Sequence, residues 1–180
     1  YIFKDELFVN DKTLTNIKYA NRTVMGEKGI KISIAHSWIS SVNRREHNRL
    51  TYQPGQPEVT DENNFNLWKG WGCSPEKGSV KVFLDTVNVI FDGDKELIKW
   101  FLDWVAYPIQ NPAAKMLTGI LFQSIEQGTG KSSLGLAIGA MYGSNYKLVD
   151  DTQLHNKNFN AWAVNRQFIL GDEVSGKDKR

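Results

Sequence analysis

The run Gln127-Gly128-Thr129-Gly130-Lys131-Ser132-Ser133 constrains this chain more than any other feature in it. Before it stands Met116-Leu117-Thr118-Gly119-Ile120-Leu121-Phe122, mostly apolar and of strand length, the pattern of a strand buried on both faces. After it comes a stretch rich in Leu and Ala, which predicts a helix over 131–141 with Gly143 placed to cap its C-terminus. Glycines at 128 and 130 permit positive φ angles, so the chain can turn from a strand end directly into a helix start. The backbone N–H groups of such a turn converge, and the helix adds the positive end of its dipole. Strand, glycine loop and helix together make a seat for a polyanion.

Downstream the alternation continues. Residues 146–149 form a second strand candidate, 154–164 are helical in part, and 167–170 form a third strand that delivers Asp172-Glu173 at its end. This order predicts a parallel sheet with right-handed crossovers, in which ligands sit beyond the C-terminal strand ends. Upstream, 95–107 reads as a helix with Asp94 as N-cap and Lys99 and Asp103 as an i,i+4 pair. Its apolar positions are Leu97, Ile98, Phe101, Leu102, Trp104 and Val105, with Trp100 and Trp104 on the buried face and Pro108 ending it. Gln110-Asn111-Pro112 is a turn or linker.

The first ninety or so residues read as a mixed region of short strands, with 7–9 and 13–17 separated by the turn-prone Asn10-Asp11. The stretch 53–78 is a long loop pinned to a neighbouring surface by Leu67, Trp68 and Trp71. The expected organisation is an accessory region over 1–92, a helix and linker over 93–112, and the first part of an α/β domain over 113–180.

Against the consensus G-x-x-x-x-G-K-[ST], the core Gly-Thr-Gly-Lys-Ser is present and the first glycine is replaced by Ile125. Residues Gln127, Gly128, Thr129, Gly130, Lys131, Ser132 and Ser133 then wrap the phosphates of a nucleotide, ATP with magnesium. Lys131 brings an ammonium between the β- and γ-phosphates, and the Ser132 hydroxyl coordinates Mg²⁺. Asp172 is expected to hold the same magnesium through water, while Glu173 orients and activates the attacking water. Asp150-Asp151 is a rival acid pair, read as the N-cap region of a following helix.

Composition excludes other classes. The chain is 41% apolar, 23% charged and 12% aromatic, ordinary for a globular protein, and its net charge of +2 does not mark a nucleic-acid binder. The cluster Arg44-Arg45-Glu46-His47-Asn48-Arg49 reads either as a solvated surface or as a contact for nucleic-acid phosphate. His36, His47 and Cys73 lack metal-ligand spacing. No apolar run has the roughly 18–20 residues that cross a bilayer, so no membrane is expected. A single cysteine excludes an internal disulfide and suits a reducing cytoplasm. The chain starts at Tyr1 without an initiator Met or a secretory signal, and is read as a piece of a longer polypeptide.

The order of motifs carries a resemblance. Asn66-Leu67-Trp68-Lys69-Gly70-Trp71 leads to Pro75, then to Trp100-Phe101-Leu102-Asp103-Trp104-Val105-Ala106 and Gln110-Asn111-Pro112. The glycine loop, Phe159-Asn160 and Asp172-Glu173 follow. Over residues 38–180 this resembles the superfamily 3 helicase part of phage and plasmid primase–helicases, a group that includes the poxvirus primase–helicase. The Gln-Asn-Pro before the strand and the Phe-Asn before the second acidic motif are its discriminating parts.

The resemblance implies an α/β fold of the P-loop NTPase, AAA+-like kind, incomplete here and preceded by a smaller mixed α+β region. It implies an ATP-driven, homo-hexameric helicase moving on single-stranded DNA, in the host cytoplasm if phage-encoded, with a primase or primase–polymerase domain linked upstream. Lys131, Ser132, Asp172 and Glu173 fall on the two nucleotide motifs of that family. The family's sensor asparagine and arginine finger come after the acidic motif, beyond Arg180. An arginine finger is worth ~10³–10⁵ in rate, so this segment alone is expected to bind nucleotide weakly and hydrolyse it poorly. Two other classes use the same loop: a nucleotide-dependent switch or loader, and a small-molecule kinase.

Overall fold

The computed structural model describes residues 2–4, 7–10, 12, 23–25, 29, 31–124, 128–155, 160–172 and 174. The chain divides into two compact units, Tyr1–His47 and Asn48–Arg180. In the first, β1 (Ile2–Lys4) pairs antiparallel with β2 (Leu7–Val9), so 7–9 is a strand as expected. The expected strand over 13–17 lies outside the described residues. A second antiparallel pair, β3 (Thr23–Met25) with β4 (Lys31–Ser33), leads into the short helix α1 (Ile34–Ile39). Ser33 caps that helix by accepting a hydrogen bond from the His36 N–H at 3.1 Å.

The second unit begins with a parallel pair, β5 (Leu50–Thr51) beside β6 (Phe65–Asn66). Asn66 is fully buried and acts as a hub. Its Nδ2 donates to the carbonyls of Gln53, Gln56 and Pro57, and its Oδ1 accepts from the N–H groups of Gln53 and Trp68. An irregular stretch thus meets its backbone requirements through one side chain instead of a ladder. The chain then crosses the end of a later helix. Trp71 meets Tyr142 edge-on at 5.4 Å, and Trp68 donates from Nε1 to Gln167 Oε1 at 2.9 Å. Trp68 and Trp71 are therefore anchors, as their setting in a loop predicts.

Helix α2 (Lys81–Ile90) adds a helix that the sequence reading of this mixed region did not single out. Val80, Val82, Thr86, Val87, Val89 and Ile90 are β-branched and favour strand locally. Tertiary packing overrides that preference: Val87 is fully buried, and Phe83 and Ile90 close on the same core. Asp92 and Gly93 turn the chain with φ of 49° and 72°. Asp94 then caps α3 (Lys95–Gln110), its carboxylate accepting from the N–H groups of Glu96 and Leu97 at 2.9 and 3.0 Å.

Two details of α3 differ from the sequence reading. Pro108 does not end the helix, which runs on to Gln110. In the last turn a proline forfeits a single i→i−4 bond, and burial of its ring in the core offsets that loss. Trp100 is not on the buried face but 51% exposed, because the inward stripe is Ile98, Phe101, Leu102 and Val105.

The stretch 116–122, expected to be a strand, forms no regular element. Ile120 and Phe122 turn into the core, whereas Leu117 and Leu121 are 88% and 87% exposed. The apolar run is there, but a strand also needs a hydrogen-bonded neighbour, and none borders this stretch among the described residues. A hydrogen bond of 2.9 Å from Trp104 Nε1 to Thr118 Oγ1 holds it to α3.

Next come α4 (Lys131–Tyr142), β7 (Tyr146–Val149), the short α5 (Asp151–His155) and β8 (Phe168–Gly171). β7 and β8 pair in parallel, Tyr146 opposite Phe168 and Val149 opposite Gly171, as their alternation with helices predicts. Residues 154–164 are helical in part, through the end of α5 and a 3₁₀ turn at Ala161–Ala163. Asp150 Oδ1 accepts from the Gln153 N–H at 2.7 Å, which makes it the capping residue expected.

The core joins Val87, Phe101, Val105, Leu134, Ile138 and Tyr142, with the rings of Phe91, Phe101 and Phe122 in mutual contact. Burying a residue such as Phe101 contributes about 2–3 kcal/mol. Gly135 and Gly139 let the strand pair close on α4. A Cβ on Gly135 would stand 2.6 Å from the Leu170 side chain, and one on Gly139 2.7 Å from the Tyr146 ring. Among the described residues, no helix is long and apolar enough to cross a membrane.

Candidate functional site

The first turn of α4 is open. Gly130 occupies its N-cap with φ 88°, and no side chain caps the helix. The N–H groups there have no partner within the helix, and the dipole ends among them. Gly128, at φ 79°, supplies a second left-handed turn just before. The positive φ at Gly130 favours glycine, and a Cβ there would also crowd the Thr86 methyl of α2 at 3.1 Å.

Lys131 folds back over the loop. Its Nζ donates to Thr129 Oγ1 at 2.7 Å and to Ser124 Oγ. Ser132 turns instead to the end of β8, where its hydroxyl donates to Asp172 Oδ1 at 2.7 Å. The Asp172 N–H reaches back to the Val149 carbonyl at 3.3 Å, extending the β7–β8 pairing by one residue. Parallel pairing therefore carries Asp172 to the start of α4. Burial first, and the Asp172 charge second, push the Tyr146 hydroxyl above its ordinary pKa.

These groups open onto a cleft of about 830 Å³. Ser124, Gly128, Lys131, Ser132 and Asp172 form its polar end, and Ile120, Phe122, Leu134, Phe168 and Leu170 are among its apolar walls. Ser133, in the first turn of α4, is exposed and does not line the cleft. Gln127 and Glu173, the other residues assigned from the sequence, lie outside the described residues, as do Ile125 and Phe159. No group of three or more His, Cys, Asp or Glu side chains that could hold a metal exists among the described residues. The hydroxyl–carboxylate pair of Ser132 and Asp172 is the kind of oxygen set that holds magnesium shared with phosphate and water.

The basic cluster spends two of its arginines internally. Arg44 pairs with Glu46, and Arg49 lies 3.3 Å from Glu62. Sequence reasoning missed Ser124, which precedes the glycine loop, and it missed the supports behind the site. Asn145, 2% exposed, donates to the Gly70 and Tyr142 carbonyls and accepts from Tyr52 Oη at 2.8 Å. Gln167, just before β8, joins Trp68 to the Pro112 carbonyl. Lone amides without periodicity carry no local signal for such roles.

The second unit is thus of mixed α/β class, a parallel strand pair with a glycine-begun helix on one face and its polar residues gathered where helix start meets strand end. No protein-family model matches the chain, and no curated protein matches it. Among solved structures it is similar to the apo structure of the C-terminal region (305–718) of NrS-1, at 25% identity and a TM-score of 0.58. The similarity covers 72% of this chain and 32% of that one, so this chain spans about a third of its neighbour's length.

Proposed function

We propose that this chain carries the nucleotide-binding part of an ATP-dependent DNA helicase, coupling Mg-ATP hydrolysis to movement on single-stranded DNA. The observation that carries the reading is the 2.7 Å hydrogen bond from Ser132 to Asp172, which joins the loop motif to the acidic strand end at the mouth of a cleft holding Lys131. A helix surface has no need of that juxtaposition, whereas a phosphate site with a shared cation does. The helicase assignment is supported by the order of motifs, while the likeness to the C-terminal region of NrS-1 supports the fold.

In this reading, the loop N–H groups from Gln127 to Ser133 bind phosphate oxygens, and Lys131 neutralises charge between the β- and γ-phosphates. Ser132 and Asp172 hold Mg²⁺, whose role is to draw charge from the phosphate oxygens. Glu173, next to Asp172, orients the attacking water and takes its proton. The working assembly is a homo-hexamer on single-stranded DNA.

The test is nucleotide titration with magnesium, followed by turnover in the full-length polypeptide. Lys131→Ala should weaken ATP binding roughly 10- to 100-fold, the worth of a charge-assisted hydrogen bond to phosphate. Glu173→Gln should leave binding intact and abolish hydrolysis. Unchanged ATP binding in Lys131→Ala would sink the nucleotide reading, and normal turnover in Glu173→Gln would remove that residue as the base.

A further inference from the structure

Ser124 stands before the glycine loop, and nothing in the loop consensus assigns it a role. Its exposed hydroxyl nevertheless accepts a hydrogen bond from Lys131 Nζ, and both residues line the polar end of the cleft. The other acceptor, Thr129, is two residues from Lys131 on the same loop and travels with it. Ser124 belongs to a different support. Two residues earlier, Phe122 is wedged against the rings of Phe91 and Phe101 in the core.

We infer that Ser124 is a positioning residue, through which the core sets the direction of the Lys131 ammonium before any nucleotide arrives. The inference rests on the nucleotide reading of this site. A lysine stem is flexible, and gripping phosphate requires its rotamer freedom to be given up. An ammonium has three donors. With two held by hydroxyls, the third is left for a phosphate oxygen, and the stem is ordered in advance. Preorganisation of this kind strengthens binding by lowering the ordering cost.

The test is a double-mutant cycle on the full chain, read by titration with Mg-ATP. Ser124→Ala should weaken binding roughly 3- to 10-fold, the net worth of one hydrogen bond. Ser124→Thr keeps the hydroxyl and should restore affinity. In the Lys131→Ala background, Ser124→Ala should change nothing, because its effect passes through the lysine. An equal loss in both backgrounds, or no loss in the parent background, would overturn the role. Those outcomes are distinct from failure of the nucleotide reading, whose sign is Lys131→Ala binding ATP as tightly as the parent.

Discussion

Gly72 offers the sharpest test of how this unit is held together. A Cβ there would stand 2.2 Å from the Ala140 carbonyl oxygen, 2.5 Å from the Gly143 nitrogen and 2.6 Å from the Gly143 Cα. All three are backbone atoms and cannot step aside by changing rotamer. To reach an ordinary contact of roughly 3.5 Å, the 66–72 loop must withdraw by more than ~1 Å. That stretches the bond from the Gly72 N–H to the Met141 carbonyl, now 2.8 Å, past any useful length. It also lifts Trp71 off Tyr142. The lost bond costs about 1 kcal/mol and the ring pair about 0.5–1.5, with residual strain bringing Gly72→Ala to about 3 kcal/mol. For a chain of this size the expected fall in Tm is about 6–12 °C. Thermal and urea unfolding of the full chain measure it. Gly78→Ala is the control, since nothing lies within 4 Å of a Cβ there, and it should be neutral or slightly stabilising. A Gly72→Ala chain as stable as its parent would refute the seating of this loop on the helix end.

The hub at Asn66 makes a second prediction. Asn66→Ala should cost about 2–4 kcal/mol in urea unfolding, and Asn66→Asp more, because a carboxylate would then face the three carbonyls that now accept from Nδ2. Tyr52 predicts a dependence on alkali. Its hydroxyl donates to Asn145, and burial pushes its pKa from 10.0 to about 12, with Arg166 opposing in part. The folded state holds that proton longer than the unfolded chain, so the stabilisation is complete below pH 10.0 and is lost as pH rises through about 12. The stability advantage over Tyr52→Phe should shrink across that window, and a constant difference would count against the assignment.

What the sequence disclosed was whatever local chemistry enforces. Asp94 caps a helix because its carboxylate reaches the N–H groups two and three residues on, and α3 follows from its apolar spacing. The glycine loop and α4 were legible because Gly130 must be left-handed and Leu134 and Ile138 must face inward. The parallel pair followed from apolar runs alternating with helices. Features that depend on distant partners were hidden. Valines 82, 87 and 89 favour strand until the core imposes a helix on them. The 116–122 stretch has the apolar run and length of a buried strand, but a ladder is a property of two segments. In the site, Lys131, Ser132 and Asp172 could be nominated by type and order alone, whereas Ser124 and Gln167 act through geometry no spacing encodes.

The methyl of Thr86 beside Gly130 gives the loop a backstop. On that side there is room for little more than a hydrogen at position 130, and α2 is anchored through Val87 in the core. Close-packed interiors transmit a push instead of absorbing it. An anion arriving from the cleft would therefore meet N–H groups braced from behind, and its charge would be spent on them rather than on displacing the loop.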